Sequence, residues 1–514
     1  MLFSSWQFIF LFLPVTLLVF FLIPARLGNF RKIWLFATSL FFYGYWKVEY
    51  IPLLLFSIGF NYAIAEGLSR FAGRRFSVHL VTLGVVLNLS LLGYYKYTNF
   101  ICDVLSTVSP FKVDRFNIEL PLAISFFTFT QIGYLVDVYR DRKLHYNFFD
   151  YSLFVVFFPH LIAGPIVRHW EIIPQLTQKE IKASTSDLAA GWTLFLLGLF
   201  KKLFLADAIS IPATAIFGAA ENGLSTNFLD AWLGTIAFAL QIYFDFSGYS
   251  DMAIGLARMF GIKFPCNFNS PYKSDSIVEF WKRWHITLTR FFREYLYFLL
   301  GGNRCGKVRQ VFNIMVTMLL SGLWHGAGVT FIIWGALHGF YLVVAHQWQG
   351  WRKRTGWTNN PRWYRTVATA VTLFFVLISW VYFKVSDLHK ANHFTATMLG
   401  GHGLTMSVEA LPKSSFLGKT WLLIGGRMVA DTAKLDSYTW TLELIGVLAL
   451  FALVFPNSQQ LLVSYEPIFE TVHTSGWFKL RLNAATGLLL GILFYGVIRT
   501  FFVSAPSPFL YFNF

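Results

Sequence analysis

Uncharged apolar runs dominate the chain and predict helices that cross a membrane. The first run, 6–25, reads WQFIFLFLPVTLLVFFLIPA and is long enough to span about 30 Å of hydrocarbon as a helix. The pattern predicts an all-α multi-pass membrane protein of about eleven to thirteen helices, some of them re-entrant because their runs are short. The other runs lie at 33–46, 50–65, 79–95, 118–136, 151–167, 186–205, 228–250, 311–324, 328–346, 366–385, 439–456 and 483–503.

Polar residues interrupt this pattern chiefly in one part of the chain. We predict that residues 1–350 form the functional core, with the polar chemistry at 151–350. Residues 351–514 return to plain helices and include an extramembrane segment at 386–438, which is too polar for lipid and too long for a tight turn. The chain closes with an aromatic tail at 504–514.

Composition excludes a soluble protein. Hydrophobic residues make up 56% of the 514 residues and charged residues 13%, and the mean hydropathy is +0.54. The formal net charge of +16 indicates basic loops that orient the chain in the lipid bilayer, and we expect no nucleic-acid partner. Basic clusters near 26–32, 70–75 and 140–143 fall on alternate connections, which predicts that these loops lie in the cytoplasm and the N-terminus outside.

The cysteines predict neither disulfides nor a metal centre. Cys102, Cys266 and Cys305 lack CxxC spacing, and we interpret each as a small buried apolar side chain. We expect no metal site, because about forty residues separate His285 from His325 and no third ligand stands at helical spacing.

Two histidines that follow tryptophans are the strongest candidates for chemistry. His325 lies in an apolar run, where an ionisable group is costly and is therefore a functional candidate. Its neutral imidazole is suited to act as a general base, and the alternative is a structural histidine that bridges helices. For His285, in the charged and aromatic segment 276–302, the alternatives are a role in the site and a place on the polar face of an interfacial helix.

Charged residues near these histidines have two interpretations each. Asp245, in an apolar run, must be paired or face a cavity, either as a salt bridge or as a group of the site. Lys201 and Lys202 are most simply interface anchors, and His160 and His338 structural or tunnel-wall residues. Four arginines are candidates for binding donor phosphates, because guanidinium groups bind phosphate bidentately, and for the first three of them snorkelling to lipid headgroups is the alternative. These are Arg283, Arg290, Arg293 and Arg304.

Six motifs, in this order, resemble the membrane-bound O-acyltransferase family, within it the bacterial branch that includes the alginate O-acetylation membrane protein. They are GPIVRHW (164–170), GLFKKLFLADAI (198–209), QIYFDFSGYSDMAIG (241–255), FNSPYKSDSIVEFWKRWHITLTRFFREYLY (268–297), LGGNR (300–304) and SGLWHGAGVTFIIWGALHG (321–339).

The resemblance implies a fold and an activity. The fold is a ring of helices in which a cytoplasmic tunnel and an outer funnel meet near His325, with His285 as the second histidine of the family. The activity is transfer of an acyl group, usually acetyl, from a cytoplasmic thioester donor such as acetyl-CoA to an extracytoplasmic polysaccharide such as alginate. We expect a multi-pass protein of the bacterial inner membrane, no bound cofactor, and a periplasmic SGNH-type O-acetyltransferase as partner.

The tail SAPSPFLYFNF is too apolar to remain in water, so we expect it to dock on the protein or on a partner. Its pattern Phe509-x-Tyr511-x-x-Phe514 resembles the C-terminal motif of a small helper protein in the D-alanylation branch of the family. That resemblance implies that Tyr511 is an acyl relay, and a hydrophobic anchor is the alternative.

Two other functions remain open at the level of sequence. One is a transporter or flippase for an anionic or lipid-linked substrate, which the absence of any visible internal repeat disfavours. The other is an acyltransferase whose acceptor is a lipid or a protein.

Overall fold

The computed structural model of the chain is mostly helical and, in its described part, has strands only in one short two-stranded sheet, which confirms the all-α prediction. It describes residues 1–110, 113–141, 146–178, 184–357, 359–407, 409–410, 421–423, 425–429, 435, 437–470, 478–503 and 507–510. The helices are α1 (Leu13–Leu22), α2 (Gly28–Gly44), α3 (Ile51–Arg70), α4 (Arg75–Leu92), α5 (Thr98–Val108), α6 (Ile124–Arg140), α7 (Phe148–Val156), α8 (Phe158–Leu161), α9 (His169–Leu176), α10 (Thr185–Phe200), α11 (Asp207–Glu221), α12 (Phe228–Met259), α13 (Ile277–Arg283), α14 (Ile286–Phe292), α15 (Lys307–His325), α16 (Val329–Arg354), α17 (Arg362–Lys384), α18 (Leu388–Met398), α19 (Tyr438–Leu453), α20 (Ser458–Leu461) and α21 (Ala484–Val503).

Shorter elements complete the fold. Wider π-helical segments lie at Phe8–Phe12, Gly93–Tyr97, Lys201–Ala206 and Arg293–Tyr297, and 3-10 turns at Ala25–Leu27, Val48–Tyr50, Pro271–Lys273 and Val463–Tyr465. Within the polar segment 386–438, β1 (Thr405–Ser407) and β2 (Arg427–Val429) form a parallel pair in which Thr405 faces Arg427.

The protein is a multi-pass membrane protein. Among the described residues, five helices are long and apolar enough to cross a membrane, and Phe8–Leu22 and Tyr438–Leu453 are shorter apolar helices. Exposed leucine and isoleucine side chains on α21 are what lipid contact requires. The total of eleven to thirteen membrane helices stays a prediction. The five spans are Val48–Arg70, Arg75–Val108, Val329–Arg354, Arg362–Lys384 and Ala484–Val503.

Helix α12 lies at the centre of the fold, and most of its residues are buried. Glycines let it approach α10 closely: a methyl group added at Gly198 would lie 2.5 Å from the carbonyl oxygen of Gly248, and one at Gly255 would lie 2.5 Å from that of Gly191. The two glycines of each helix are seven residues, or about two turns, apart, so they face the neighbouring helix from the same side. Small residues at facing positions are how membrane helices pack backbone against backbone.

The structure corrects three interpretations made from sequence. The segment 276–302 is not one interfacial helix, because it breaks at Trp284 and His285 between α13 and α14. Lys201 and Lys202 are not interface anchors, because the helix continues through them into α11 and both form ion pairs inside the protein, with Lys202 buried and Lys201 half-buried.

The third correction concerns one cysteine. Cys102 and Cys266 are buried as predicted, but Cys305 is exposed. Cys305 lies in the turn between the π-helical segment Arg293–Tyr297 and α15, where Gly301, Gly302 and Gly306 have positive φ and residues 303–309 are exposed.

Candidate active site

His325 is the last residue of α15, and close backbone contacts fix its position. An added methyl group at Gly322 would lie 2.2 Å from the carbonyl oxygen of Phe331, and one at Gly335 would lie 2.3 Å from that of Met318. These glycines therefore bring α15 and α16 into backbone contact just before His325. The glycine after it, Gly326, packs under the Phe331 ring, where any larger side chain would collide with the ring.

Aromatic rings surround the His325 imidazole, which is only 3% exposed. The ring of Trp334 lies 5.1 Å away between centroids and that of Phe383 5.3 Å away, and both meet the imidazole edge to face. Trp324 lies 5.0 Å away on the third side. Such an apolar enclosure favours the neutral imidazole, which is the form that accepts a proton.

The fold brings His285 to the same place from a different part of the chain. Its ring is fully buried, 6.4 Å from that of His325 and 4.8 Å from that of Phe246 on α12. The backbone at His285 is left-handed, with φ of 42°. That conformation is rare for a residue other than glycine and persists only where the surrounding structure holds it, which is typical of functional sites.

Asn267 fixes the orientation of the His285 ring, and the sequence analysis did not predict this role. Its side-chain oxygen accepts hydrogen bonds from His285 Nδ1 at 3.1 Å and from the Thr287 hydroxyl at 3.0 Å, and its amide donates to Ser250 at 3.1 Å. Since a carbonyl oxygen only accepts, Nδ1 of His285 carries the proton and Nε2 holds the lone pair in the neutral ring. The only sequence signal for Asn267 is its position directly before the motif at 268–297.

A narrow cleft runs along α6 toward the histidines. Its inner end is lined by Phe129 and Thr287, and its outer end by Asp137 and His169. Phe129 stacks on Trp324, with 5.5 Å between ring centroids, which connects the inner end to the site. With a volume of about 10 Å³, the cleft is closed to anything larger than a water molecule.

Outside the cleft, Asp137 and His169 also line a wider cavity of about 330 Å³, together with Arg140. At the narrow point, Asp137 accepts a hydrogen bond of 2.5 Å from the Tyr295 hydroxyl and lies 3.3 Å from His169 Nε2. This wider cavity is the mouth of the cleft, and the polar contact of Asp137 with Tyr295 separates it from the histidines. From Phe129 to Arg140, α6 rises roughly 16 Å.

The arginines assigned to donor phosphates lie in different surroundings. Arg283 forms an ion pair of 2.8 Å with Glu279, and Arg290 one of 2.7 Å with Glu171. Burial raises the pKa of the Glu171 carboxyl, and the charge of Arg290 opposes that shift. Arg304 is exposed in a glycine-rich turn. None of these contacts tests phosphate binding, so the assignment stays a prediction.

Asp245 forms a buried ion pair with Lys202, at 2.6 Å, and the end of the chain docks on this pair. Asp245 accepts a hydrogen bond from the Leu510 amide at 2.9 Å, and the Lys202 ammonium donates to the Pro508 carbonyl at 3.2 Å. The Phe509 ring is 1% exposed and packs edge-on against Tyr249, with 4.4 Å between centroids. The prediction that the tail docks is confirmed for residues 507–510, and the surface is the protein's own.

Tyr511, the predicted relay, lies outside the described residues. Leu510, the residue before it, belongs to the same buried apolar cluster as Phe246 and Trp334, which contact His285 and His325 respectively. The docked part of the tail therefore ends in the same extended apolar core that supplies these two rings to the site.

Two further histidines have structural partners. His160 Nε2 lies 2.8 Å from the Phe154 carbonyl oxygen, and His338 Nε2 lies 2.8 Å from the Ser379 hydroxyl.

A cavity of about 480 Å³ lies between α16 and α17 and is lined by residues such as Phe340, Arg352 and Phe375. Neither His285 nor His325 lines it, so this cavity is separate from the candidate active site.

Comparison with known proteins gives a consistent result. Residues 139–386 match the model of MBOAT, the membrane-bound O-acyltransferase family. The chain is 37% identical to a peptidoglycan O-acetyltransferase of Helicobacter pylori, over 100% of this chain and 98% of that protein. It is also 37% identical, over the whole of both chains, to a probable alginate O-acetylase of Pseudomonas aeruginosa. A teichoic acid D-alanyltransferase of Bacillus subtilis is 29% identical over 52% of this chain and 69% of that protein.

The buried pair under the tail yields a prediction on stability. Lys202→Met should lower the free energy of unfolding by about 3–5 kcal/mol, because Asp245 is left buried without its cation. The double variant Lys202→Met/Asp245→Leu should recover most of that loss, since both charges are gone. Thermal unfolding in detergent measures the stability, and carboxypeptidase digestion measures release of the chain end.

Lys263→Met is the matched control for these variants. Its partner Glu466 is 76% exposed, so the change should cost less than about 1 kcal/mol. A Lys202→Met protein as stable as the parent, or a double variant less stable than the single, would contradict the assignment of Lys202 and Asp245 as the anchor of the tail.

Proposed function

The chain belongs to the membrane-bound O-acyltransferase family and is an O-acyltransferase, and on that premise we propose that it acetylates an extracytoplasmic polysaccharide. The acetyl group comes from a thioester donor in the cytoplasm, acetyl-CoA or another acyl thioester, and crosses the bacterial inner membrane through the protein. The observation that carries this proposal is the convergence of His325 and His285, from two separate motifs, in one buried aromatic pocket. The names of the relatives point to polysaccharide acceptors, alginate among them.

His325 is the general base of the proposed reaction. Its neutral ring takes the proton from the acceptor hydroxyl while that oxygen attacks the thioester carbonyl carbon, and the thiol leaves when the tetrahedral intermediate collapses. The apolar rings around His325 exclude water, which would otherwise hydrolyse the thioester. His285 orients the reacting groups, and the hydrogen bond to Asn267 fixes its ring and tautomer.

The donor enters along the cleft beside α6. The mouth lies at the end of α6 and is lined by Arg140, which in the sequence belongs to a basic cluster that the charge pattern assigns to the cytoplasm. A thin acyl-thioester arm has the shape to follow such a cleft, and the contact of Asp137 with Tyr295 must open to admit it. The phosphates of the donor remain outside the cleft. Arg283, Arg290 and Arg304 are the candidates to bind them, and Asp245 binds the tail.

The tail receives the acyl group on Tyr511. Attack by the phenol oxygen on the thioester carbonyl carbon forms an aryl ester and breaks the carbon–sulfur bond, and the thiol leaves with the proton that His325 took from the phenol. The nucleophilic serine of a periplasmic SGNH-type partner then attacks that ester, and the phenol leaves with the serine proton. The docking of residues 507–510 on Lys202 and Asp245 supports this proposal, because Leu510, the neighbour of Tyr511 in the sequence, joins the apolar core that also contains Phe246 and Trp334 of the site.

Replacing the base tests the proposed function. His325→Ala should lower ester-linked acetyl on the cell's polysaccharide by about 10²–10⁴-fold, which is the usual contribution of a general base. Acetate released by mild alkali is measured in a strain that carries the variant, and immunoblots of membranes confirm insertion. His79→Ala, at an exposed position, is the matched control and should leave acetylation unchanged. Near-normal acetylation in the His325→Ala strain would exclude His325 as the general base.

Blocking the cleft tests the donor path. Gly133 lies on the cleft wall, and a side chain there would extend toward the Tyr295 ring, 3.5 Å from an added methyl group. Gly133→Phe should therefore reduce acetylation by about tenfold or more, since the reacting groups no longer reach their positions. Gly59→Phe on α3, where no atom lies within 4 Å of an added methyl group, is the control. Equal acetylation in the two variants would argue against this path.

Removing one hydroxyl tests the relay. Tyr511→Phe keeps the ring and deletes only the oxygen that would carry the acyl group, so acetylation should be lost while the protein stays in the membrane. Tyr495→Phe, an exposed position on α21, removes a hydroxyl that has no proposed role. Full acetylation in Tyr511→Phe would exclude the acyl relay and leave the tail with the role of a hydrophobic anchor.

A further inference from the structure

Helix α15 ends at His325, and the end of any α-helix leaves its last carbonyl groups without partners inside the helix. Here the side chains of a neighbouring helix supply those partners. The Lys96 ammonium lies 2.5 Å from the carbonyl oxygen of Trp324 and 3.3 Å from that of His325. The Tyr97 hydroxyl donates a hydrogen bond of 2.8 Å to the carbonyl oxygen of Leu323. Two successive side chains thus bind the last three carbonyls of the helix.

The backbone that carries these two residues is unusual. Lys96 and Tyr97 close the π-helical segment Gly93–Tyr97, which interrupts the membrane helix Arg75–Val108. Successive residues of a regular α-helix point about 100° apart, whereas a π-helical turn contains an extra residue and changes the direction of the side chains around it. Single π turns of this kind occur frequently at functional sites.

Lys96 is a costly residue to keep at this position. A lysine inside a membrane segment requires compensation, and among the described residues Lys96 takes part in no ion pair. Its charge is met by the two carbonyl groups and by the Trp324 ring, whose centroid is 5.8 Å away. A cation at a helix C-terminus is electrostatically favourable. An ammonium also has three donors and can bridge two carbonyls, whereas a hydroxyl has one.

We propose that Lys96 and Tyr97 are positioning residues that hold the backbone of Trp324 and His325, and so fix the imidazole against the reacting carbonyl. The inference rests on the proposed role of His325 as general base. Close glycine contacts with α16 hold α15, and the Lys96–Tyr97 pair on another helix binds the same helix end. The hydrogen bonds of both residues go to the backbone that carries the imidazole, and through that backbone each residue positions the ring.

The test compares acetylation with the amount of folded protein. Lys96→Met removes all three donors, and acetylation per folded molecule should fall about 10–100-fold, because a displacement near 1 Å costs about that much. Tyr97→Phe should show a smaller loss in the same direction. Lys96→Arg, which keeps the charge and several donors, should restore most of the activity. Alkali-released acetate, membrane immunoblots and thermal unfolding in detergent are measured for each variant.

Asn88→Leu separates positioning from general stability. Asn88 is buried on the same membrane helix and pairs with Asn61 on α3, away from His325. It should lower thermal stability without lowering acetylation per folded molecule. If Lys96→Met loses acetylation only in proportion to its loss of folded protein, as Asn88→Leu does, the positioning role is wrong.

His325→Ala, assayed in parallel, distinguishes the two proposals. An active His325→Ala protein would overturn the proposed function, and the inference about Lys96 with it. An inactive His325→Ala protein beside a fully active Lys96→Met protein would overturn the inference about Lys96 alone.

Discussion

An ionisable side chain inside a membrane protein has to find its partner within the protein, because lipid supplies none. The centre of this fold follows from that requirement. Helix α12 carries Asp245 and Asp251 within a buried apolar sequence, and the neighbouring lysines on the α10–α11 helix, Lys202 and Lys201, meet them at 2.6 Å. Glycine contacts let the two helices approach closely enough to form both pairs. Breaking either ion pair would leave a charged side chain without its partner inside the protein, so the two pairs fix these helices to one another.

The ion pairs also organise the far end of the chain. The carboxylate of Asp251 accepts hydrogen bonds from Ser458 at 2.6 Å and from Gln459 at 2.7 Å, and Asp245 accepts one from the Leu510 amide. Segments more than two hundred residues away in sequence are therefore bound to the same two carboxylates. The polar groups that hold these helices together therefore also hold Ser458, Gln459 and Leu510 in place.

The candidate site uses a different solution to the same constraint. His325 and His285 are enclosed by aromatic rings, where a neutral imidazole is acceptable and a charged one is not. Such a group needs its position fixed through the backbone, and contacts of two kinds do this: glycine packing and the Lys96–Tyr97 pair at His325, and Asn267 with a left-handed backbone at His285. Rigid placement of this kind is what acid–base chemistry requires.

The sequence by itself determined the class of the protein, the approximate membrane segments, the family and the two histidines, because hydrophobic runs and contiguous motifs are local properties of the chain. It misjudged Lys201 and Lys202, and it overlooked Asn267, because the partners of these residues are distant in sequence. The break at His285 was also invisible, since a left-handed histidine is held by the atoms around it and not by its own preference. Tertiary structure alone decided which carboxylate meets which lysine, where the tail docks and what binds the end of α15. In a medium that offers no alternative partners, those choices depend on which groups the packing of the helices brings within hydrogen-bonding distance.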